Sequence, residues 1–346
     1  MTLSWTGYLW QIRFPCGRGT GGHPGGHLVN RPIQDSLRLA VAAMATRFEL
    51  VLPLGLPGPG AVELRAAGEA ALAEILAAED LLSAHRSTAQ LAGVNARAHR
   101  EPVRVSPLLL DLLVRCREGS DLTGGTFDPT VGALVHAWRT TPATDPDWSR
   151  RIEEARAVMG WQYVEMDLDA STLRFHRPGL RLDLGSVGKG WALDRAAAVL
   201  DESGVGSALI HGGTSTVLAL GAPPGEAAWS IQMGTELSES DRGAGFSQPV
   251  IPLRDQALSV SATWGRRHLD PQGRSHGHVL DPRTGEPVRG PRRAIVVGPT
   301  AEETDRLSTA LLVAGSGWIP DLQRLGRELS GWVEGDGAAA PAGKTA

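Results

Sequence analysis

Cysteine is nearly absent. The chain has 346 residues and two cysteines, Cys16 and Cys116, too few for a disulfide framework or a thiolate zinc cluster. Cys116 follows Leu112-Leu113-Val114-Arg115 and reads as a small core residue rather than a nucleophile. No apolar run reaches the roughly 18 residues that a membrane-spanning helix needs. Neither sign of charge dominates: 34 Lys and Arg stand against 38 Asp and Glu, a net charge of −4. With no basic stripe to track phosphates, nucleic acid is not an expected partner. Residues 1–16 have no basic start with a continuous apolar stretch, so no signal peptide is read. Arg13-Phe14-Pro15-Cys16 also lacks the small residues of a lipoprotein cleavage site. These absences together suggest a cytoplasmic protein.

What is present is enough apolar sequence for a sizeable core, at 42% apolar against 21% charged residues, in one large domain or two small ones. Residues 1–40 read as a flexible Gly-rich extension. Within it Gly17-Arg18-Gly19-Thr20-Gly21-Gly22 matches the dinucleotide fingerprint by letter, but Pro15 interrupts the approach and no helix opens after it, so a linker is the better reading. Residues 40–54 suggest a strand, 61–84 a long amphipathic helix, and 83–95 a polar loop. Ser106-Pro107 signals a helix start, with the helix running to about Leu122. Short helices are expected at 130–138 and 146–159, and a pair of strands over 161–182. Strands are expected within 207–220, 227–233, 250–260 and 293–297, and a helix from Thr300 or Ala301 to Val313. Residues 234–249 read as a polar insert and 335–346 as a disordered tail, leaving 41–334 as one domain.

Four stretches carry chemistry. Leu180 to Leu184 leads directly into Gly185-Ser186-Val187-Gly188-Lys189-Gly190 and then a helix. Backbone N–H groups at that helix start, together with Lys189, suit a phosphate. Gly124-Gly125-Thr126-Phe127-Asp128-Pro129-Thr130 ends one helix in a polar turn. His278-Val279-Leu280-Asp281-Pro282-Arg283-Thr284-Gly285 is a second Asp-Pro turn, dense in polar groups. Asp305 and Thr309 stand four apart, on one helix face. Arg283 can bind phosphate bidentately or pin a neighbouring carboxylate. His278 or Asp281 can accept a proton, and Asp281 can alternatively brace its own turn.

In their order along the chain these stretches resemble the ApbE family, the FAD:protein FMN transferases, from Met44 to about Gly315. The matches are Met44-x-Thr46, the Ser83-x-x-Arg86 loop ending in Asn95, the Gly124–Thr130 turn, Asp183-Leu184-Gly185-Ser186-Val187-Gly188-Lys189-Gly190, Gly212-Gly213, the His278–Gly285 hairpin, and Asp305-x-x-Ser308-Thr309. Ser261-Ala262-Thr263-Trp264 departs from the family's usual Ser-Gly-Asp-Tyr but keeps a flat ring at Trp264.

The resemblance implies an α+β fold of two similar lobes with mixed or antiparallel sheets and an FAD cleft between them. It implies Mg2+ held by Asp305, Thr309 and a main-chain oxygen at Ser186. FAD contacts are expected from Met44, His85, Thr126, Phe127, Asp128, Asp183, Lys189, Trp264, His278 and Arg283, and catalytic roles from His278, Asp281 and Lys189. The reaction expected is transfer of FMN from FAD to a threonine or serine hydroxyl of a partner flavoprotein, with release of AMP. The alternatives are hydrolysis of FAD to FMN and AMP, and FAD binding without turnover.

Overall fold

The structure is a computed structural model and describes residues 10–13, 35–233, 249–265, 267–290 and 292–335. The Gly-rich fingerprint at 17–22, most of the polar insert and the tail beyond Gly335 lie outside the described residues. In chain order the elements are β1 (Trp10–Arg13), β2 (Ser36–Ala43), β3 (Thr46–Pro53), α1 (Ala61–Leu82), α2 (Gln90–Arg97), β4 (Val103–Arg104), α3 (Pro107–Leu122), α4 (Gly132–Thr140) and α5 (Trp148–Ala157). Then follow β5 (Val164–Asp167), β6 (Thr172–Phe175), α6 (Gly188–Glu202), β7 (Ala208–Gly212), β8 (Thr216–Leu220), β9 (Trp229–Met233), β10 (Val250–Leu253) and β11 (Gln256–Ala262). The last are β12 (Arg267–Leu269), β13 (Ser275–Gly277), β14 (Arg293–Gly298), α7 (Ala301–Ala314), α8 (Ile319–Leu325) and β15 (Ser330–Glu334).

The α+β architecture rests on one seven-stranded sheet, ordered β15-β14-β11-β8-β7-β3-β2, in which each neighbouring pair is antiparallel. Strand alternation divides its side chains between two faces. Phe48, Leu50 and Leu52 of β3 face the helical layer with α1 and α6. Val51 faces the other side, where β9 and β10 bring Trp229, Ile231, Met233 and Leu253 against Leu258 and Val260 of β11. A small sheet, β4-β6-β5, joins the helical core through Val103, Leu173 and Phe175.

Helix starts follow local chemistry. The Ser106 hydroxyl accepts from the Leu109 N–H at 3.3 Å with Pro107 in the first turn, and the Thr300 hydroxyl accepts from the Glu303 N–H at 3.3 Å. In α1, Leu64, Ala67, Ala71, Ile75, Ala78 and Leu82 recur at three- and four-residue spacing and are buried, which makes the inner stripe of an amphipathic helix.

Several boundaries differ from the sequence-based expectation. The extension expected to be flexible through residue 40 contains β1, paired with β9, and β2 already begins at Ser36. Helix α2 begins inside the expected polar loop. The single strand expected over 40–54 is a hairpin whose ends pair Ala43 with Thr46. Its two turn residues, Met44 and Ala45, have φ of 50° and 57°. This conformation ordinarily selects Asn or Gly, so the sequence carries no turn signal there. Ala45→Gly is expected to raise stability by about 0.5–1 kcal/mol, the relief of left-handed strain less the extra freedom of glycine when unfolded. Urea denaturation midpoints measure it.

Candidate functional site

Two cavities, of about 500 and 610 Å3, share the wall formed by Gly185, Ser186, Lys189 and His278. The first, termed the inner chamber after the buried Asp305 in its lining, also has Thr309, Ser261 and Trp264. The second, termed the outer chamber, has Met44, His85, Asp183 and His268 among its lining. The shared turn is built by short-range bonds. The Asp183 carboxylate accepts from the Gly185 N–H at 2.8 Å, and the Leu184 carbonyl accepts from the Gly188 N–H at 2.8 Å as α6 begins. The strand-like segment leading in is clamped by buried Asn95, whose side chain accepts from the Leu182 N–H at 2.8 Å and donates to the Leu182 carbonyl at 2.9 Å. The Lys189 ammonium donates to the Gly185 carbonyl at 3.1 Å and lies 3.9 Å from the Asp305 carboxylate.

Asp305 forms the floor of the inner chamber and is 3% exposed. Its carboxylate accepts from the Gly190 N–H at 3.0 Å and from the Thr216 hydroxyl at 3.2 Å. Burial pushes its pKa up, against the opposing pull of Lys189, the Gly190 N–H and Thr216. Around it runs a seam of hydroxyls between the sheet and α7. Ser259 meets Thr304 at 2.9 Å, and Ser261 meets Ser308 at 2.9 Å and Thr309 at 3.2 Å. This seam exists because β11 alternates Ser259 and Ser261 toward α7 with Leu258 and Val260 away from it.

The chemistry of this floor suits a hard cation. Asp305, Thr309 and the main chain at Ser186 are all oxygen donors, the set that Mg2+ takes, and a buried carboxylate with a raised pKa is stabilised by a cation beside it. Among the described residues no group of three or more His, Cys, Asp and Glu is placed to hold a metal. A metal here would therefore rest on one carboxylate with hydroxyl and carbonyl help.

In the outer chamber, Glu79 ties two walls together. Its carboxylate accepts from the Met44 N–H at 2.7 Å and from Arg86 at 2.8 Å. The Arg139 guanidinium lies 2.7 Å from the His85 ring nitrogen Nε2.

Met44, His85, Asp183, Ser186, Lys189, Trp264, His278, Asp305 and Thr309 thus come together around the chambers. The other expected site residues do not line them. Thr126 is buried, and its hydroxyl donates to the Thr123 carbonyl at 3.0 Å. Phe127 lies in the main core. Asp128 accepts from the Thr130 N–H at 2.8 Å in a local turn, and burial raises its pKa. Asp281 receives the Arg283 N–H at 2.9 Å and the Arg283 guanidinium at 3.0 and 2.8 Å. The Asp281–Arg283 pair therefore braces the hairpin, which is why neither residue reaches the cavities. Trp138 and Arg156 hold the same hairpin by donating to the Gly285 and Arg283 carbonyls at 3.2 and 2.8 Å. Thr263 also turns away, accepting from the Arg292 N–H at 2.9 Å and donating to the Gly290 carbonyl at 2.8 Å.

Burial pushes Asp281 up, but the hydrogen bonds and charge of Arg283 outweigh it and hold the carboxyl below its ordinary value of 3.8. A depressed folded pKa stabilises above the unfolded value, and that stability is lost as pH falls through the folded pKa. Asp281→Asn is therefore expected to lower the melting temperature at pH 7, with the gap to the parent closing below about pH 3.8. Thermal melts across pH check this.

Thr216, Ser259 and Asp194 are structural contributors that motif reading passed over. The signal for Ser259 was a hydroxyl alternating with apolar residues along β11, and for Thr216 a lone hydroxyl at the start of an otherwise apolar strand.

The fold and site define an α+β protein with a two-chambered cleft, a Gly-rich helix-start turn between the chambers and an oxygen-rich floor. The chain belongs to the ApbE family, whose family model matches residues 44–328. A curated FAD:protein FMN transferase of Treponema pallidum is 28% identical over 269 residues, covering 74% of this chain and 73% of that one. One of Klebsiella pneumoniae is 29% identical over 253 residues, covering 70% and 69%. Among solved structures, the ApbE protein of Thermotoga maritima superposes with a TM-score of 0.75 at 24% identity, covering 90% of this chain and 98% of that one. The flavin transferase ApbE of Vibrio cholerae gives 0.70 at 22% identity, covering 86% and 92%. These two likenesses establish the fold. Among the described residues no helix is long and apolar enough to cross a membrane.

Proposed function

We propose that this chain transfers FMN from FAD to a threonine or serine hydroxyl of a partner flavoprotein, with Mg2+, releasing AMP. The observation that carries the reading is the Gly185–Lys189 turn, which walls both chambers above the buried Asp305. A dinucleotide laid across two joined chambers puts its pyrophosphate at their junction, beside the Lys189 ammonium that lines both. Related proteins that carry the name FAD:protein FMN transferase support the same reading.

In the reaction the acceptor oxygen bonds to the FMN phosphorus. The bond between that phosphorus and the bridging anhydride oxygen breaks, and AMP leaves carrying the bridging oxygen. Lys189 and the α6 N-terminus bind the phosphates and stabilise the charge that builds on them. His278, exposed and lining both chambers, takes the hydroxyl proton. Met44 in the outer chamber and Trp264 in the inner chamber offer an apolar chain and a flat ring to the ring systems at the two ends of FAD. Asp305, Thr309 and the Ser186 carbonyl would hold Mg2+, which supplies positive charge for the pyrophosphate.

His278→Ala is expected to lower kcat by about 10²-fold or more, the usual worth of a general base, with FAD binding measured by flavin fluorescence changed little. Undiminished turnover in this variant rules out His278 as the proton acceptor. The reading as a whole is tested by incubating the protein with FAD, Mg2+ and the acceptor protein of a related transferase. Covalent fluorescence on the acceptor supports transfer. Free FMN and AMP without a labelled acceptor point to hydrolysis instead.

A further inference from the structure

We propose that Asp194 is a positioning residue for the reaction: it latches the start of α7 to α6 and so holds Asp305 at the phosphate turn. The inference rests on the reading of the site given above. Asp194 lies on α6 one turn beyond Gly190 and lines neither chamber. Its two carboxylate oxygens accept from the Ala301 and Glu302 N–H groups, each at 2.8 Å. These are two of the four N–H groups that the first turn of a helix leaves without internal partners.

Helix α7 already has its own cap in Thr300. Asp194 satisfies the two N–H groups that Thr300 does not reach, and because it comes from another helix it also fixes where that end sits. The contact continues toward the site with no slack. A Cβ on Gly190 would lie 2.0 Å from the Ala301 carbonyl oxygen, and the Gly190 N–H reaches the Asp305 carboxylate at 3.0 Å. Asp194, Gly190 and the 185–189 turn thus form one rigid line along α6, against which the Ala301–Asp305 segment of α7 is registered.

Other groups near Asp194 do not replace it. Arg115 of α3 and Arg306 of α7 are engaged by the Glu302 carboxylate at 2.8 and 3.2 Å, and Arg195 of α6 by Glu74 of α1 at 2.8 Å. Burial raises Asp194 to about 6, with Glu302 adding to that and the two backbone N–H groups and Arg115 opposing it. A carboxylate kept in so unfavourable a place, with both its oxygens on the N–H groups of a neighbouring helix start, fits a geometric role.

The test is Asp194→Asn, which preserves shape but can accept only one of the two N–H groups while its amide nitrogen faces the other. Mg2+ alone is titrated into the ligand-free protein by calorimetry, and the Mg2+ dependence of AMP release from FAD is measured beside it. Outer groups that orient a metal's ligands typically change metal affinity by roughly 10–100-fold. The expected result is a weakening of Mg2+ binding in that range, a KM for FAD changed less than about twofold, and turnover largely recovered at high Mg2+. Asp194→Glu, which keeps the carboxylate on a longer stem, is expected to fall between the two and is read in the same way if the Asn variant does not fold. A parental Mg2+ affinity in either variant, with only the melting temperature lowered, overturns the positioning role. A parent protein that binds no Mg2+ and releases no AMP overturns the site reading itself, and the two failures are told apart by the parent measurement.

Discussion

Asp305→Asn is expected to lower kcat/KM for FAD by on the order of 10³-fold, comparable to removing a principal charge-stabilising group from an active site, while the folded protein keeps or gains thermal stability. The two effects part because of where the carboxylate sits. It is buried at the cavity floor, its pKa is raised by burial, and its nearest cation is Lys189 at 3.9 Å. A folded pKa above the unfolded value means that the folded state holds its proton longer. The stability so gained is full at low pH and is lost as pH rises through the folded pKa. At neutral pH the ionised group is therefore a burden on the fold, which the neutral amide relieves. The amide oxygen can still accept from Gly190 or Thr216, so the seam need not open. Without the charge, however, the floor cannot hold a hard cation or balance Lys189. Kinetics of AMP release and melts in the absence of Mg2+ read the two quantities separately. Parental Mg2+-dependent turnover in this variant refutes the metal assignment.

Gly190→Ala is expected to be the most damaging single methyl group in the helical layer. The added Cβ would lie 2.0 Å from the Ala301 oxygen, 2.5 Å from its carbonyl carbon and 2.8 Å from the Asp305 Cβ. Two of these are backbone atoms and cannot swing aside, so α6 and α7 must separate. Overpacking a tight core typically costs 1–3 kcal/mol, and a backbone clash places this variant at about 3 kcal/mol or more. Separation also pulls the Gly190 N–H from the Asp305 carboxylate, so turnover falls with stability. The contrast is Gly206→Ala, where nothing lies within 4 Å and the change is expected to stay within about 0.5 kcal/mol. Urea denaturation of both variants, with AMP release on the folded fraction, makes the comparison.

Much of this architecture was legible from local chemistry. Ser106-Pro107 and Thr300 announced α3 and α7. The Leu182 to Trp191 stretch announced a strand-like segment, turn and helix, and spacing put Asp305 and Thr309 on one face. The hairpin at Met44-Ala45 was not legible, because tertiary contacts such as the Glu79 bond to Met44 hold non-glycine residues in a conformation their types disfavour. Motif letters also could not separate lining residues from braces. Asp183, Asp281 and Asp128 all stand in polar turns, yet only Asp183 reaches a chamber. The difference is set by partners distant in sequence. Trp138 and Arg156 hold the 281–285 turn against α4 and α5, and Phe127 anchors the 126–130 turn in the core. The hydroxyl seam was half visible as alternation in β11, but its meaning depended on α7 lying across that strand.

In the proposed function, the two chambers joined at the Gly185–Lys189 turn hold FAD for transfer of its FMN half to a protein hydroxyl. Intact-mass spectrometry of an acceptor flavoprotein, after incubation with this protein, FAD and Mg2+, tests it most directly. The expected result is an acceptor heavier by one FMN less one water, with an equal amount of AMP, and no such product from Asp305→Asn. An acceptor of unchanged mass, alongside FAD that is either intact or split to free FMN and AMP, would contradict it.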